Sequence, residues 1–164
     1  MTVLETERMI LRRPQPADEA AIVGFYTSGR SASGALSEQE AWSRFAFTIG
    51  HWAIRGFGRF LGIEKSTGDA ILHVGPHRPG GWPEPEIAWS IMVDKAEGKG
   101  FAFEGAKAAI AHAFGGLGWK TAVSYIHREN ARSLALAERL GATHDAAATS
   151  VADDHLVYRH RVPQ

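Results

Sequence analysis

The chain contains no cysteine, which removes disulfides, thiolate metal ligands and cysteine nucleophiles from its chemistry and suits a reducing compartment. Neither sign of charge is in excess: 18 lysines and arginines face 18 aspartates and glutamates, so the balance selects neither nucleic acid nor an anionic membrane as partner. No segment approaches the run of about eighteen apolar residues that suggests a membrane span. The start, Met1 to Arg8, puts acidic charge where a signal peptide needs a basic and then an apolar run. The cytoplasm is the expected compartment. Proline is scarce, and four of the seven prolines fall between Pro76 and Pro85, which marks that stretch as a loop on the substrate side or the surface.

What remains is ample for one core. At 164 residues and 45% apolar content the chain reads as a single domain, 1–164, able to fold without a disulfide or a structural metal. Met9 to Arg12 reads as a strand and Ala20 to Tyr26 as a helix. A second helix opens with Ser37 three residues before Glu40, the spacing of a capping box, and carries Trp42, Phe45, Ile49 and Trp52 on roughly one face. Arg59 to Glu64 and Ala70 to Val74 form a hairpin across the turn Ser66-Thr67-Gly68-Asp69. Glu86 to Val93 alternates as a strand with Ile87, Trp89 and Ile91 on one face. Phe101 to Phe114 has helical spacing, Thr121 to Ile126 is another strand, a helix runs from Asn130 to about Gly141, and Leu156 to Tyr158 closes the chain as a strand. This order predicts an α/β fold of three layers, with a mixed, mostly antiparallel sheet and helices on both faces.

Gly98-Lys99-Gly100 stands where strand and loop enter the Phe101 helix. Two glycines let backbone approach a ligand closely, and the first helical turn leaves amide donors without partners, so the joint can bind phosphate oxygens; it can equally be a tight turn. Lys99 adds positive potential. The spacing is not that of a Walker A loop, and Phe103 occupies the place of the third glycine of a dinucleotide fingerprint.

Several segments occur in an order that resembles the GCN5-related N-acetyltransferases. They are Leu4 to Arg13, Glu86-Ile87-Ala88-Trp89, Gly98 to Glu104, Asn130-Ala131-Arg132-Ser133, and Glu138 to Ala142. The similarity is greatest to the RimJ/RimL-like ribosomal-protein N-terminal acetyltransferase branch and covers nearly the whole chain. It implies the acyl-CoA N-acyltransferase fold and acetyl-CoA as cosubstrate. It further implies a pyrophosphate loop from Lys95 to Ala102 that includes Gly98, Lys99, Gly100 and Phe101, a Val93 backbone beside the pantetheine arm, and cofactor-side roles for Asn130 and Ser133. Lys95, Ala88 and Phe103 depart from the residues usual in that family: lysine lacks the planar guanidinium of arginine, and the other two alter strand curvature or pocket width.

By that resemblance the reaction is direct attack of a primary amine on a thioester, for which no metal is expected and deprotonation of the amine is the recurring requirement. At pH 7 an α-amine of pKa near 8 is neutral about one time in ten, and a lysine amine near 10.4 only about once in 2,500. A peptide or protein N-terminus is therefore the favoured acceptor. A small-molecule amine, or a non-catalytic acyl-CoA-binding or sensing domain, are the alternatives. Glu86 is the candidate base, acting through water, or else a solvated strand-end charge. Ser133 can donate to the leaving sulfur or serve only its local backbone, and Asn130 suits a helix N-cap equally well. His73, Trp82 and Trp89 are candidate acceptor contacts, with Tyr125, Tyr158 and His77 further possibilities; each side chain is also an ordinary packing residue. The assembly is read as a monomer or homodimer.

Overall fold

The computed structural model describes residues 2–162, in which eight strands form one mixed sheet flanked by four α-helices. In chain order they are β1 (Val3–Glu5), β2 (Met9–Arg12), α1 (Glu19–Thr27), α2 (Glu38–Arg55), β3 (Phe60–Glu64), β4 (Ala70–His77), β5 (Glu86–Ile91), α3 (Phe101–Ala111), β6 (Val123–His127), α4 (Ala131–Arg139), β7 (Thr143–His144) and β8 (His155–Arg159). The spatial order is β1-β2-β3-β4-β5-β6-β8-β7, antiparallel throughout except for the parallel pair β5 and β6. No helix among the described residues is long and apolar enough to cross a membrane.

Strand alternation divides the core between the two faces. Leu61 of β3 packs with Ile22 and Phe25 of α1 and Phe45 of α2, whereas its neighbour Phe60 packs with Leu72, Val74 and the α3 residues Ala106 and Ala109. Ala137 of α4 joins Ile126 and Tyr158. Helices α1 and α2 therefore cover one face, α3 and α4 the other.

Helix α2 begins as the sequence dictates. The Ser37 hydroxyl accepts from the Glu40 amide at 3.3 Å while the Glu40 carboxylate accepts from the Ser37 amide at 2.9 Å, and Gly56, at φ 73°, ends the helix. Its buried stripe is Ala41, Phe45, Thr48 and Trp52, so Trp42, about 100° round the helix from Ala41, is 51% exposed rather than part of the stripe.

Strands β1 and β7 were not evident in the sequence, because three and two residues are too short to show a period. Strand β4 runs on through Pro76 and His77, which pair with Ile87 and Glu86, so the proline-rich loop begins only at Arg78. Pairing of β5 ends at Ile91; Val93 stays extended, at φ −135° and ψ 143°, before the turn Asp94–Ala96.

Candidate functional site

The first distinctive feature is the parting of β5 from β6. They share one paired position, Glu86 with Val123, where the Val123 amide donates to the Pro85 carbonyl at 2.9 Å. A continued parallel ladder would send the Tyr125 amide to the Ile87 carbonyl. Instead the Ile87 carbonyl accepts from Ser124 Oγ at 2.6 Å. His160 Nε2 lies 2.8 Å from the same hydroxyl. The two strands diverge beyond this point, leaving the β5 edge from Ala88 onward without a strand neighbour. That opening is a wedge into which a narrow chain can slide and pair with backbone.

Glu86 closes the narrow end. It is 7% exposed, Trp82 Nε1 donates to it at 2.7 Å, and burial pushes its carboxyl up to about 7, against the lowering effect of the Trp82 and Tyr125 donors and of the nearby Arg59 charge. A carboxyl that titrates near neutrality can hold or release a proton at working pH. Its loop is pinned from below: Arg159 makes a two-pronged pair with Glu84 at 2.7 and 2.8 Å and a further bond to Asp145 at 2.7 Å, and the Glu84 amide donates to the Tyr125 hydroxyl at 3.2 Å. Trp82 stands edge-on to both Tyr125 and His77. Register puts Glu86, Ala88 and Ser90 on the α1/α2 face together with His77, Gly75 and His73. Glu86, Trp82 and His73 thus share a face.

Trp89 does not. It points to the α3/α4 face, where it packs with Leu140 and donates from Nε1 to Ser133 Oγ at 3.2 Å. An odd offset from Glu86 places Trp89, expected as an acceptor contact with Trp82, on the side of the sheet opposite Trp82 and Glu86. Ser133 accepts that bond and keeps its own hydroxyl proton for another partner. Asn130 caps α4, its side-chain oxygen accepting from the Ser133 amide at 3.1 Å; the bland reading of this asparagine is thus realised.

The loop into α3 has the conformation its glycines permit. Gly98 and Gly100 sit at φ 70° and 81°, where side chains are strained. Among the described residues, the amides of Gly98 to Phe103 have no hydrogen-bond acceptor. The Phe101 ring is buried under the Arg8 guanidinium, 4.2 Å from its centroid, and Ala102 packs on the core, so these two offer a ligand only backbone. Lys99 is exposed, while Lys95 is paired with Asp69 in the β3–β4 turn. Arginines that the sequence did not single out hold the loop: Arg8 donates to the Lys99 carbonyl at 2.9 Å, Arg30 bridges Asp94 and Glu97, and Arg132 reaches Glu97 at 2.8 Å. They lie far from the loop in sequence and follow no period, so only folding reveals them. The same holds for Arg59, Ser124 and His160. A file of free amides at a helix start, beside a wedge in the sheet, fits a ligand with a pyrophosphate and an extended amide-bearing arm.

Comparison with known proteins agrees with this geometry. The acetyltransferase (GNAT) domain family matches residues 8–143. A crystallised acetyltransferase from Agrobacterium tumefaciens is 34% identical, with 98% of this chain and 95% of that chain covered and a TM-score of 0.90. At the level of fold alone, the ribosomal-protein-S5-alanine acetyltransferase of Vibrio fischeri superposes with a TM-score of 0.75 at 14% identity, covering 99% and 97%. RimL, a ribosomal L7/L12 α-N-protein acetyltransferase in complex with coenzyme A, does so with 0.73 at 16%, covering 98% of each chain. No curated protein sequence matches.

Proposed function

The chain belongs to the GNAT acetyltransferase family and is an acetyl-CoA-dependent N-acetyltransferase; on that premise we propose that residues 1–164 act as one domain whose acceptor is the α-amine of a peptide or protein N-terminus. The observation that carries the choice of acceptor is Glu86, buried where β5 and β6 part and titrating at about 7. Moving a proton to such a carboxylate costs about 1.4 kcal/mol from an α-amine of pKa near 8, and about 4.6 kcal/mol from a lysine amine near 10.4. The first is a minor part of a barrier; the second is a handicap of about 2,500-fold, of the order that a further device would have to remove. The RimL and S5-alanine acetyltransferase likenesses are compatible with this reading.

When bound, acetyl-CoA supplies an activated acyl carbon. The unpartnered amides from Gly98 to Phe103 would hold its pyrophosphate, and the free β5 edge toward Val93 its pantetheine arm. Glu86 accepts the amine proton, directly or through one water, while Trp82 Nε1 holds the carboxylate in place. Ser133, fixed by Trp89 and by the α4 cap, has a free hydroxyl proton to offer a departing thiolate. Incubation with acetyl-CoA and matched peptides carrying one free α-amine or one lysine ε-amine, read by mass spectrometry, tests the choice. Preferential α-acetylation is expected; predominant ε-acetylation would overturn it.

A further inference from the structure

A cavity of about 70 Å³ lies between α2 and the face of β3 and β4, with Tyr26, Arg44, Thr48, Arg59, His73 and His77 in its walls, and one of these, His77, pairs across the ladder with Glu86. It is far smaller than a whole-ligand pocket and large enough for one small polar group. Its walls are short of acceptors. His73 is 2% exposed, and neither ring nitrogen has a hydrogen-bond partner among the described residues. Arg59 donates from Nη2 to the His73 carbonyl at 2.7 Å and to Ser90 Oγ at 2.9 Å, but its buried Nε is unpartnered, and no carboxylate of the described residues lies within 4.0 Å of the guanidinium. A buried cation without an anion, next to a buried imidazole without a partner, is an arrangement that folded chains avoid unless a ligand completes it.

Burial and the Arg59 charge keep His73 neutral and bring His77 down to about 3, so each ring presents one N–H and one lone pair at neutral pH. The fixed charge of the cavity comes from Arg59 and, at the rim, Arg44. Glu86 is the only carboxylate among the described residues whose charge acts appreciably on Arg59, and it is itself bonded to Trp82.

We propose that this cavity, through Arg59 and His73, binds a carboxylate carried by the acceptor, so that the preferred substrate is a primary amine with an acidic group a few bonds from the nitrogen. The inference rests on the acceptor site lying beside Glu86 as read above. Register supports the spacing: His77 stands across the ladder from Glu86 and His73 four residues further along β4, so the cavity opens roughly 5 to 13 Å from the base. A guanidinium Nε–H and an imidazole N–H are a matched pair of donors for two carboxylate oxygens. The acid can come from the first or second side chain of a peptide or from a free amino acid.

The test compares carboxylates with their carboxamides on the enzyme saturated with CoA or acetyl-CoA. Peptides beginning Glu or Asp are set against Gln or Asn, and γ-aminobutyrate against its amide, with binding read by calorimetry and acetylation by kcat/KM. A charge-assisted pair in a buried site should favour the carboxylate about 10- to 100-fold. Arg59→Gln should bring that ratio toward one while CoA affinity, measured on the same preparation, is kept. The wild-type ratio decides by itself should the variant not fold. Selectivity confined to peptides, or to the free amino acid, supports the subsite and identifies its source. Equal binding and turnover of acid and amide overturns the subsite and leaves the α-amine reading intact; carboxylate selectivity on amines other than peptide N-termini upholds the subsite and sinks that reading.

Discussion

Replacing Glu86 by glutamine should separate the chemical and the structural cost of one carboxyl. The amide keeps an oxygen to accept from Trp82 Nε1, so the local geometry has no reason to collapse. Loss of the proton acceptor should lower kcat by about 10²- to 10⁴-fold at neutral pH, with CoA affinity retained. The wild-type rate should climb as pH rises through about 7, and that limb should vanish in the variant, leaving only the ionisation of the amine. Stability gives an independent reading of the same group. Its pKa in the fold is raised from 4.5 to about 7, so between those values the native state binds more protons than the unfolded chain, and stability falls as pH rises. At 1.36 kcal/mol per pH unit the full effect is about 3 kcal/mol. Urea denaturation at pH 5 and pH 8 should therefore show Glu86→Gln gaining about 2.5 kcal/mol on wild type between the two, because the histidines that titrate in this range are common to both proteins and cancel. Parallel stabilities across the pH range would refute the burial argument, and a retained rate limb would refute the base.

Gly100→Asp should weaken CoA binding at least about tenfold, because it puts a side chain at φ 81°, 3.5 Å from Arg8, and an anion among the free amides, with calorimetry as the measure. Gly105→Ala raises helix propensity by about 1 kcal/mol, yet its Cβ would sit 2.4 Å from Leu72 and 3.3 Å from Val74, so a net loss of about 1 kcal/mol is expected in urea titration; a gain would mean that Leu72 turns aside freely. His160, brought down by burial from 6.5 to about 4, makes the unfolded state the better proton acceptor between those values, and stability falls as pH drops through them. His160→Gln should remove up to about 3 kcal/mol of that acid loss, and an unchanged acid slope would show that this ring is hydrated.

The fold was legible wherever a period or a cap had length to express itself. The Ser37–Glu40 box, the glycine stop at Gly56, the β3–β4 hairpin and the Gly98-Lys99-Gly100 turn all stand where local chemistry put them. Glu86 stood out in the sequence as a strand-opening acid, but its burial did not, because that depends on Trp82 folding back and on β6 parting from β5. The arginine braces and the Ser124–His160 contact join residues up to 91 positions apart, and no local spacing encodes them. The alternation that puts Ile87, Trp89 and Ile91 on one face was legible in the sequence, but which face holds Glu86 with the β4 histidines was not, because that depends on the register of β4 against β5.

That alternation is also what lets one short strand face two substrates. Glu86, Ala88 and Ser90 face the α1/α2 side with the histidines of β4, while Ile87, Trp89 and Ile91 face α3 and α4. A ladder continued from Val123 to Tyr125 would keep these sides apart, since a paired sheet has no opening through which an amine on one face could meet an acyl group arriving along the other. Pairing stops at Glu86, the proposed base, and Ser124 takes up the Ile87 carbonyl so that no buried acceptor is abandoned. The proposed base and the mouth of the opening thus meet at one residue. A substitution that abolishes the charge of Glu86 but keeps its oxygen should impair proton transfer and leave the wedge open, whereas Ser124→Ala removes the donor that occupies the Ile87 carbonyl and frees that carbonyl for the β6 backbone. Ser124→Ala should therefore lose CoA affinity, and an unchanged CoA affinity in the folded variant would show that the strands part for another reason.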